Sequence, residues 1–166
     1  VIGKVGSAVV SPEELTAALG GTATMGKIRS LEGLALLVEH LRDQGRRIVF
    51  TNGCFDLIHV GHIRHLHEAR RLGDVLIVAL NTDRSVRRIK GAPRPVLCEA
   101  ERAAVLAALD VVDYIVFFDE DSPERLLAEL RPDVLVKGKQ GAGGRVVGAG
   151  LVERYGGQVV ELPLYG

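Results

Sequence analysis

Two histidines, His59 and His62, stand three residues apart with Gly61 between them, directly after Thr51-Asn52-Gly53-Cys54-Phe55-Asp56. The apolar run Ile48-Val49-Phe50 precedes that stretch, and a helical pattern follows it. A strand, a glycine-containing turn and a helix N-terminus make an anion site, because the first helical amides lack partners and the dipole is positive there. Two imidazoles on one turn add side-chain donors aimed the same way. Such a cluster suits chemistry on a nucleoside triphosphate. Gly53 and Gly61 let a phosphate-bearing ligand approach the backbone closely, besides serving the turn. Asp56 can bind a sugar hydroxyl, orient a side chain, help hold a metal, or simply close an Asx turn. Zinc is the rival reading, since His59, His62 and His65 share a helix face. No cysteine pair lies nearby, however, and the glutamate of a His-Glu-x-x-His helix is missing, so no protein-held metal is expected. His65 and His67 read as ordinary helix-surface residues.

A second cluster follows the next apolar run. Asn81-Thr82-Asp83 leads into Arg84, Arg87, Arg88, Lys90 and Arg94, with no acid between Arg84 and Arg94. Its place after a strand end and before Pro93 and Pro95 predicts a phosphate-facing loop, although such a run is often only a solvated face. Lys90-Gly91 is the choice within it, a cation with a flexible neighbour that can reach a polyphosphate. Arg102, near a helix start, either adds a cation or pairs with Glu99 or Glu101. Lys137-Gly138, at the end of another apolar run, points toward the same crevice.

The elements that must position these residues alternate. Runs at 48–50, 75–80, 114–118, 134–136 and 159–162 read as strands, the first four nearly continuous, as parallel strands covered on both faces require. Helical patterns fall at 30–44, 61–72, 99–109, 123–130 and 148–155. The alternation predicts an α/β fold, a doubly wound Rossmann-like parallel sheet with helices on both faces. Ligands then sit at the carboxyl ends of the strands, near a topological switch point. Residues 1–29 look different: Ser11-Pro12-Glu13-Glu14 starts a helix that Gly20-Gly21 stops, and 20–26 reads as a linker. The expected division is therefore 1–29 and 30–166.

The 166 residues carry 21 basic and 21 acidic side chains, so no general electrostatic grip on nucleic acid is indicated. Cys54 and Cys98 are too few and too far apart for a disulfide framework, which fits a reducing, cytoplasmic setting. No run approaches a membrane span. No Ser–His–acid trio is visible, and neither cysteine has an obvious base. Donors and cations gathered on one sheet edge suit attack on phosphorus by a nucleophile that is already an anion. A sugar phosphate qualifies, since phosphomonoesters lose their second proton near pH 6. Catalysis then reduces to positioning and charge stabilisation, with a magnesium ion able to contribute.

Thr51-Asn52-Gly53-Cys54-Phe55-Asp56 with His59-Val60-Gly61-His62 resembles the signature of the cytidylyltransferase-like nucleotidyltransferases. Ala79-Leu80-Asn81-Thr82-Asp83, Arg88-Ile89-Lys90-Gly91, Arg94-Pro95, Phe118-Asp119-Glu120-Asp121-Ser122-Pro123 and Arg131 through Gly138 resemble its ADP-heptose synthase branch. The likeness covers about residues 30–166. It implies adenylyl transfer from ATP, with Mg2+, to D-glycero-β-D-manno-heptose 1-phosphate, giving ADP-heptose and pyrophosphate for lipopolysaccharide core. It also implies which residues act. His59, His62 and Lys90 would be catalytic. Thr51, Asn52, Gly53, Phe55, Gly61, Arg102, Lys137 and Gly138 would border the nucleotide. Asp56, Asp83 and Arg94 would lie near the sugar phosphate. A homodimer is implied, as is fusion to a sugar kinase, because Val1 to Pro12 resembles the last stretch of a ribokinase-like kinase; no kinase activity is expected of this chain. The alternatives are another acceptor (glycerol 3-phosphate with CTP, or another sugar 1-phosphate) and an inactive nucleotide-binding module. Two departures stand out. The family's Lys-Gly continues with Gly-Asp-Tyr, where this sequence reads Lys139-Gln140-Gly141 ahead of the Gly141–Gly144 stretch. The family's Ser-Thr-Thr helix has no counterpart at Leu164-Tyr165-Gly166, so the expected phosphate cradle lacks one wall.

Overall fold

The computed structural model describes residues 26–139 and 144–164. The helix expected from Ser11, the linker up to residue 25, residues 140–143 of the glycine-rich stretch and the last two residues lie outside them. The described chain runs α1 (Leu31–Asp43), β1 (Ile48–Gly53), α2 (Val60–Arg70), β2 (Val75–Asn81), α3 (Asp83–Lys90), α4 (Glu99–Ala107), β3 (Tyr114–Phe118), α5 (Glu124–Leu130), β4 (Val134–Gly138), α6 (Ala149–Arg154) and β5 (Gln158–Leu162).

The five strands form one sheet in the order β3-β2-β1-β4-β5, all neighbours parallel. The apolar runs are continuous because both faces are covered. Ile48, Phe50, Val75, Ile77 and Ala79 pack with Leu34 and Val38 of α1, Leu126 and Leu127 of α5 and Val152 of α6. The alternate residues Val49, Leu76, Val78 and Leu80 pack with Leu66 and Ala69 of α2 and Ala103 and Leu106 of α4. This is the doubly wound arrangement the alternation predicts. The order reverses direction between β1 and β4, which makes their carboxyl ends the switch-point crevice.

At the opposite, amino-terminal edge, three aspartates fix the strand starts. Asp74, Asp133 and Asp113 accept from the amides of Arg47, Ile48 and Leu76 at 2.7, 2.8 and 2.8 Å. Gly73 is required beside them, since a Cβ there would stand 2.6 Å from Val49 and 2.8 Å from the Arg47 carbonyl.

Two local expectations change. β1 continues through Gly53, so Thr51 and Asn52 are strand residues rather than turn residues. The stretch after β2 is not a loop. Thr82 caps α3, its Oγ1 accepting the Ser85 amide at 3.2 Å, and Asp83 sits in the first turn. The helix ends at Gly91, whose φ of 75° is open to glycine. The basic residues between are therefore distributed round a helix.

Candidate active site

The histidine turn is built by its own side chains. His59 is the N-cap of α2, and its Nδ1 accepts the Gly61 amide at 3.0 Å. The His59 amide in turn donates to His62 Nδ1 at 3.2 Å. This is a capping box in which imidazoles replace the usual hydroxyl and carboxylate. A ring nitrogen that accepts is unprotonated, so each neutral ring carries its proton on Nε2. Neither Nε2 has a protein partner among the described residues. The two rings lie 4.0 Å apart between centroids. Burial, the neighbouring His59 and the charge of Lys90 push His62 below the ordinary histidine value.

Behind the turn the chain is tightly folded. Phe55 and Leu57 adopt positive φ of 47° and 59°, a conformation costly for side chains of their size. The Phe55 ring covers Gly53, where a Cβ would lie 3.0 Å from it, and stands 5.5 Å from the His62 ring. A side chain at Gly53 would therefore have to push the Phe55 ring back by a few tenths of an ångström. Gly61 is buried inside the first turn of α2. His65, read from sequence as a surface residue, is half-buried and meets Thr51 Oγ1 at 3.3 Å, fixing α2 to β1. Its spacing of three from His62 on an inward face was the available signal. His67 is exposed, as expected.

Lys137 and Asn52 meet across the switch point. Lys137 Nζ donates to Asn52 Oδ1 at 3.0 Å and to its carbonyl at 3.3 Å. Burial lowers the ammonium's pKa below the ordinary lysine value. Gly138 follows, where a Cβ would press 2.8 Å from Leu164. Cys54 joins the crevice as a thiol. Burial raises its pKa, against the opposing charges of Lys90, Arg102 and Lys137.

Other predicted residues are placed differently from expectation. Asp56 is not available to a ligand. Its side chain is only 2% exposed, and both oxygens accept protein donors: Arg94 Nη1 at 2.8 Å, the Val96 amide at 2.9 Å and the Leu97 amide at 3.1 Å. Burial alone would raise its pKa, but these donors outweigh it and hold the carboxylate below its ordinary value. Arg102 pairs with neither Glu99 nor Glu101. It is wholly buried, bonded to the carbonyls of Leu97, Cys54 and Asn81 at 3.0, 2.7 and 2.8 Å and to Asp83 at 2.7 Å. Its donors face protein acceptors, so it does not reach a nucleotide directly. Arg84 and Arg88 turn away from the crevice to Asp119, and Arg88 also meets Asp121. Lys90, beyond them at the end of α3, forms no salt bridge among the described residues. Among the described residues no group of three or more His, Cys, Asp or Glu is placed to hold a metal.

A parallel sheet with a histidine-capped helix N-terminus at its switch point and lysines on either side defines a nucleotide-binding α/β domain of the nucleotidyltransferase kind. Residues 50–142 match the family model described as cytidylyltransferase-like, and the chain belongs to that family. It is similar to the bifunctional protein HldE of Geotalea uraniireducens, 54% identical over 160 residues, which is 95% of this chain and 33% of that protein. The HldE of Pseudomonas paraeruginosa is 50% identical over 165 residues, 99% of this chain and 35% of that protein. The chain thus spans about a third of the length of these relatives. Among solved structures, a lipopolysaccharide core biosynthesis protein from Thermoplasma volcanium superposes with a TM-score of 0.64 at 27% identity, covering 74% of this chain and all of that one. A pantoate–β-alanine ligase from Francisella tularensis shares the fold, with a TM-score of 0.58 at 15% identity over 84% of this chain and 67% of that one. No helix among the described residues is long and apolar enough to cross a membrane.

Proposed function

We propose that this domain transfers an adenylyl group from ATP to D-glycero-β-D-manno-heptose 1-phosphate, giving ADP-heptose and pyrophosphate. The observation that carries the reading is the histidine capping box. Both Nδ1 atoms are spent on backbone amides, which leaves two Nε2–H donors at the start of α2. Similarity along nearly the whole chain to the HldE proteins, and structural likeness to a protein named for lipopolysaccharide core biosynthesis, support heptose as the acceptor class.

The acceptor phosphate oxygen attacks the α-phosphorus, and the bond from that phosphorus to the bridging oxygen breaks. The electron pair leaves with pyrophosphate. The attacking oxygen is already ionised, so no general base is required. His59 and His62 hydrogen-bond the phosphoryl oxygens as charge shifts toward the leaving group. Lys90 draws pyrophosphate from the α3 side. Asn52, Gly53, Lys137 and Gly138 border the nucleotide at the switch point. Asp83 and Arg94 flank the acceptor. Mg2+ fits as an ion carried in on the triphosphate, the usual mode for a cation that keeps its waters and binds substrate phosphates with few carboxylates. When bound it neutralises phosphate charge. A homodimer, fusion to a kinase domain and a cytoplasmic setting complete the reading.

The test is pyrophosphate release with ATP or CTP, Mg2+ and a panel of sugar and polyol phosphates. Turnover with ATP and heptose 1-phosphate supports the proposal. Turnover with CTP and glycerol 3-phosphate moves the acceptor class, and nucleotide binding without turnover on any acceptor overturns it.

A further inference from the structure

Asp56 and Arg102 meet at one residue. Leu97 gives its amide to Asp56 at 3.1 Å and its carbonyl to Arg102 at 3.0 Å. Asp56 also takes Arg94 and the Val96 amide, so the segment from Arg94 to Leu97 is tied to the β1–α2 loop. Arg102 reaches the same loop at the Cys54 carbonyl, and it reaches the start of α3 through the Asn81 carbonyl and the Asp83 carboxylate. The two charged groups therefore close a ring through the β1–α2 loop, the Arg94–Leu97 segment, α4 and the β2–α3 junction.

The ring encloses two arms. One leads from Asp56 to His59 and the α2 cap. The other runs from Asp83 along α3 to Lys90 and returns through Gly91 to Arg94. Among the described residues Lys90 forms no salt bridge to the histidine arm: its position follows from the two ends of its segment, Asp83 and Arg94, and both ends are fixed by this ring. Burying a guanidinium completely is costly unless its donors are used, and here four of its five N–H groups meet acceptors from three separate segments.

We infer that Asp56 and Arg102 are positioning residues, which set where Lys90 stands relative to His59 and His62 without touching substrate. The inference rests on the transfer reading above and deepens it. An error of about 1 Å in placing a catalytic group costs on the order of 100-fold in rate, so the frame acts on turnover through Lys90.

A double-mutant cycle tests this on the whole chain, with pyrophosphate release as the readout and thermal unfolding as the control for fold. Asn at position 56 keeps the size of the side chain but turns one acceptor into a donor that opposes a backbone amide. Lys90→Ala is expected to cost about 100-fold in kcat/KM in the unsubstituted chain. In the Asp56→Asn background it is expected to cost only a few-fold, because Lys90 is already displaced. Arg102→Lys, which retains charge but cannot span four acceptors, is expected to act like Asp56→Asn, and Asp56→Glu to lie between. Distant, independent residues give additive losses, so the same cost of Lys90→Ala in every background overturns the frame while leaving the transfer reading intact. Loss of fold in all three frame variants at the assay temperature also overturns it, since the ring would then hold up the domain rather than set the site. An unsubstituted chain that releases no pyrophosphate with any acceptor is a separate result. It overturns the transfer reading and the frame's role together.

Discussion

The turns after β1 and after β2 lead from neighbouring parallel strands into helices at the same sheet edge, yet they are held in opposite ways. In the first, the groups that close the start of α2 are uncharged rings, although the loop ahead of them is tied down through Asp56. His59 and His62 cap their own backbone through Nδ1 and leave Nε2 without a protein partner among the described residues. The second is held by charge. Asp119 accepts from Thr82, from Arg84 at 3.0 and 2.5 Å and lies 3.5 Å from Arg88, while Asp83 is bound to Arg102. An open groove of about 560 Å3 runs beside this charged cluster, between Arg88 and Arg125, and includes neither histidine. A group is available for chemistry when its structural bonds leave a donor over. By that measure the proposed transfer rests on the histidine turn, with Lys90 as the one residue of the basic helix that the proposal uses.

The sharpest way to break this contrast is alanine on each side. His62→Ala is expected to lower turnover by about 10²–10³-fold, the usual loss for one preorganised transition-state donor. It should also cost roughly 1 kcal/mol of stability through the lost cap. Arg84→Ala, which removes an exposed partner of Asp119, should change turnover only a few-fold, in keeping with the small worth of exposed ion pairs. Steady-state pyrophosphate release on both variants checks this. Equal losses would mean that the arginine run faces phosphate after all.

Acid titration sharpens the same contrast with smaller effects. His62 and His65 are pushed below the ordinary histidine value, His62 by burial, His59 and Lys90, and His65 by burial, Lys137 and His62. The unfolded chain then binds more protons than the folded one. Their contribution is complete above about pH 6.5 and is lost as pH falls through that value toward the folded ones. Asp119 behaves otherwise. Hydrogen bonds from Arg84 and Thr82 hold it at about 2, so its contribution is whole well above the ordinary carboxylate value of 3.8 and is lost as pH falls from there to about 2. Melting temperature followed against pH is expected to decline first below neutrality. Replacing His65 by Gln should flatten that decline, whereas Asp119→Asn should leave its onset in place.

Much of the fold was legible because burial on both faces writes a strand as an unbroken apolar run; 75–80 and 114–118 are such runs, and β2 and β3 occupy Val75–Asn81 and Tyr114–Phe118. The histidine turn was legible because all its parts are adjacent in sequence. What stayed hidden depends on partners far along the chain. The run from Arg84 to Arg94 looks like a free cationic loop until Asp119 and Asp121, over thirty residues away, are brought against it. The helix there, capped by Thr82 and ended at Gly91, lay behind the charge run. Arg102 has glutamates next to it in sequence and pairs instead with Asp83, because burial selects the acceptor at the end of the neighbouring strand. Asp56 could not be assigned from its position, since its three donors come from residues 94–97.

The central claim is that one nitrogen of each imidazole builds the turn and the other does the chemistry. Asparagine separates the two, because its Oδ1 can stand near where Nδ1 stands and nothing replaces Nε2–H. Pyrophosphate release and thermal unfolding of His59→Asn and His62→Asn therefore make the most direct test. The account predicts a melting temperature close to that of the unsubstituted chain with turnover down by about 10²-fold or more. Turnover retained with an intact fold would contradict it.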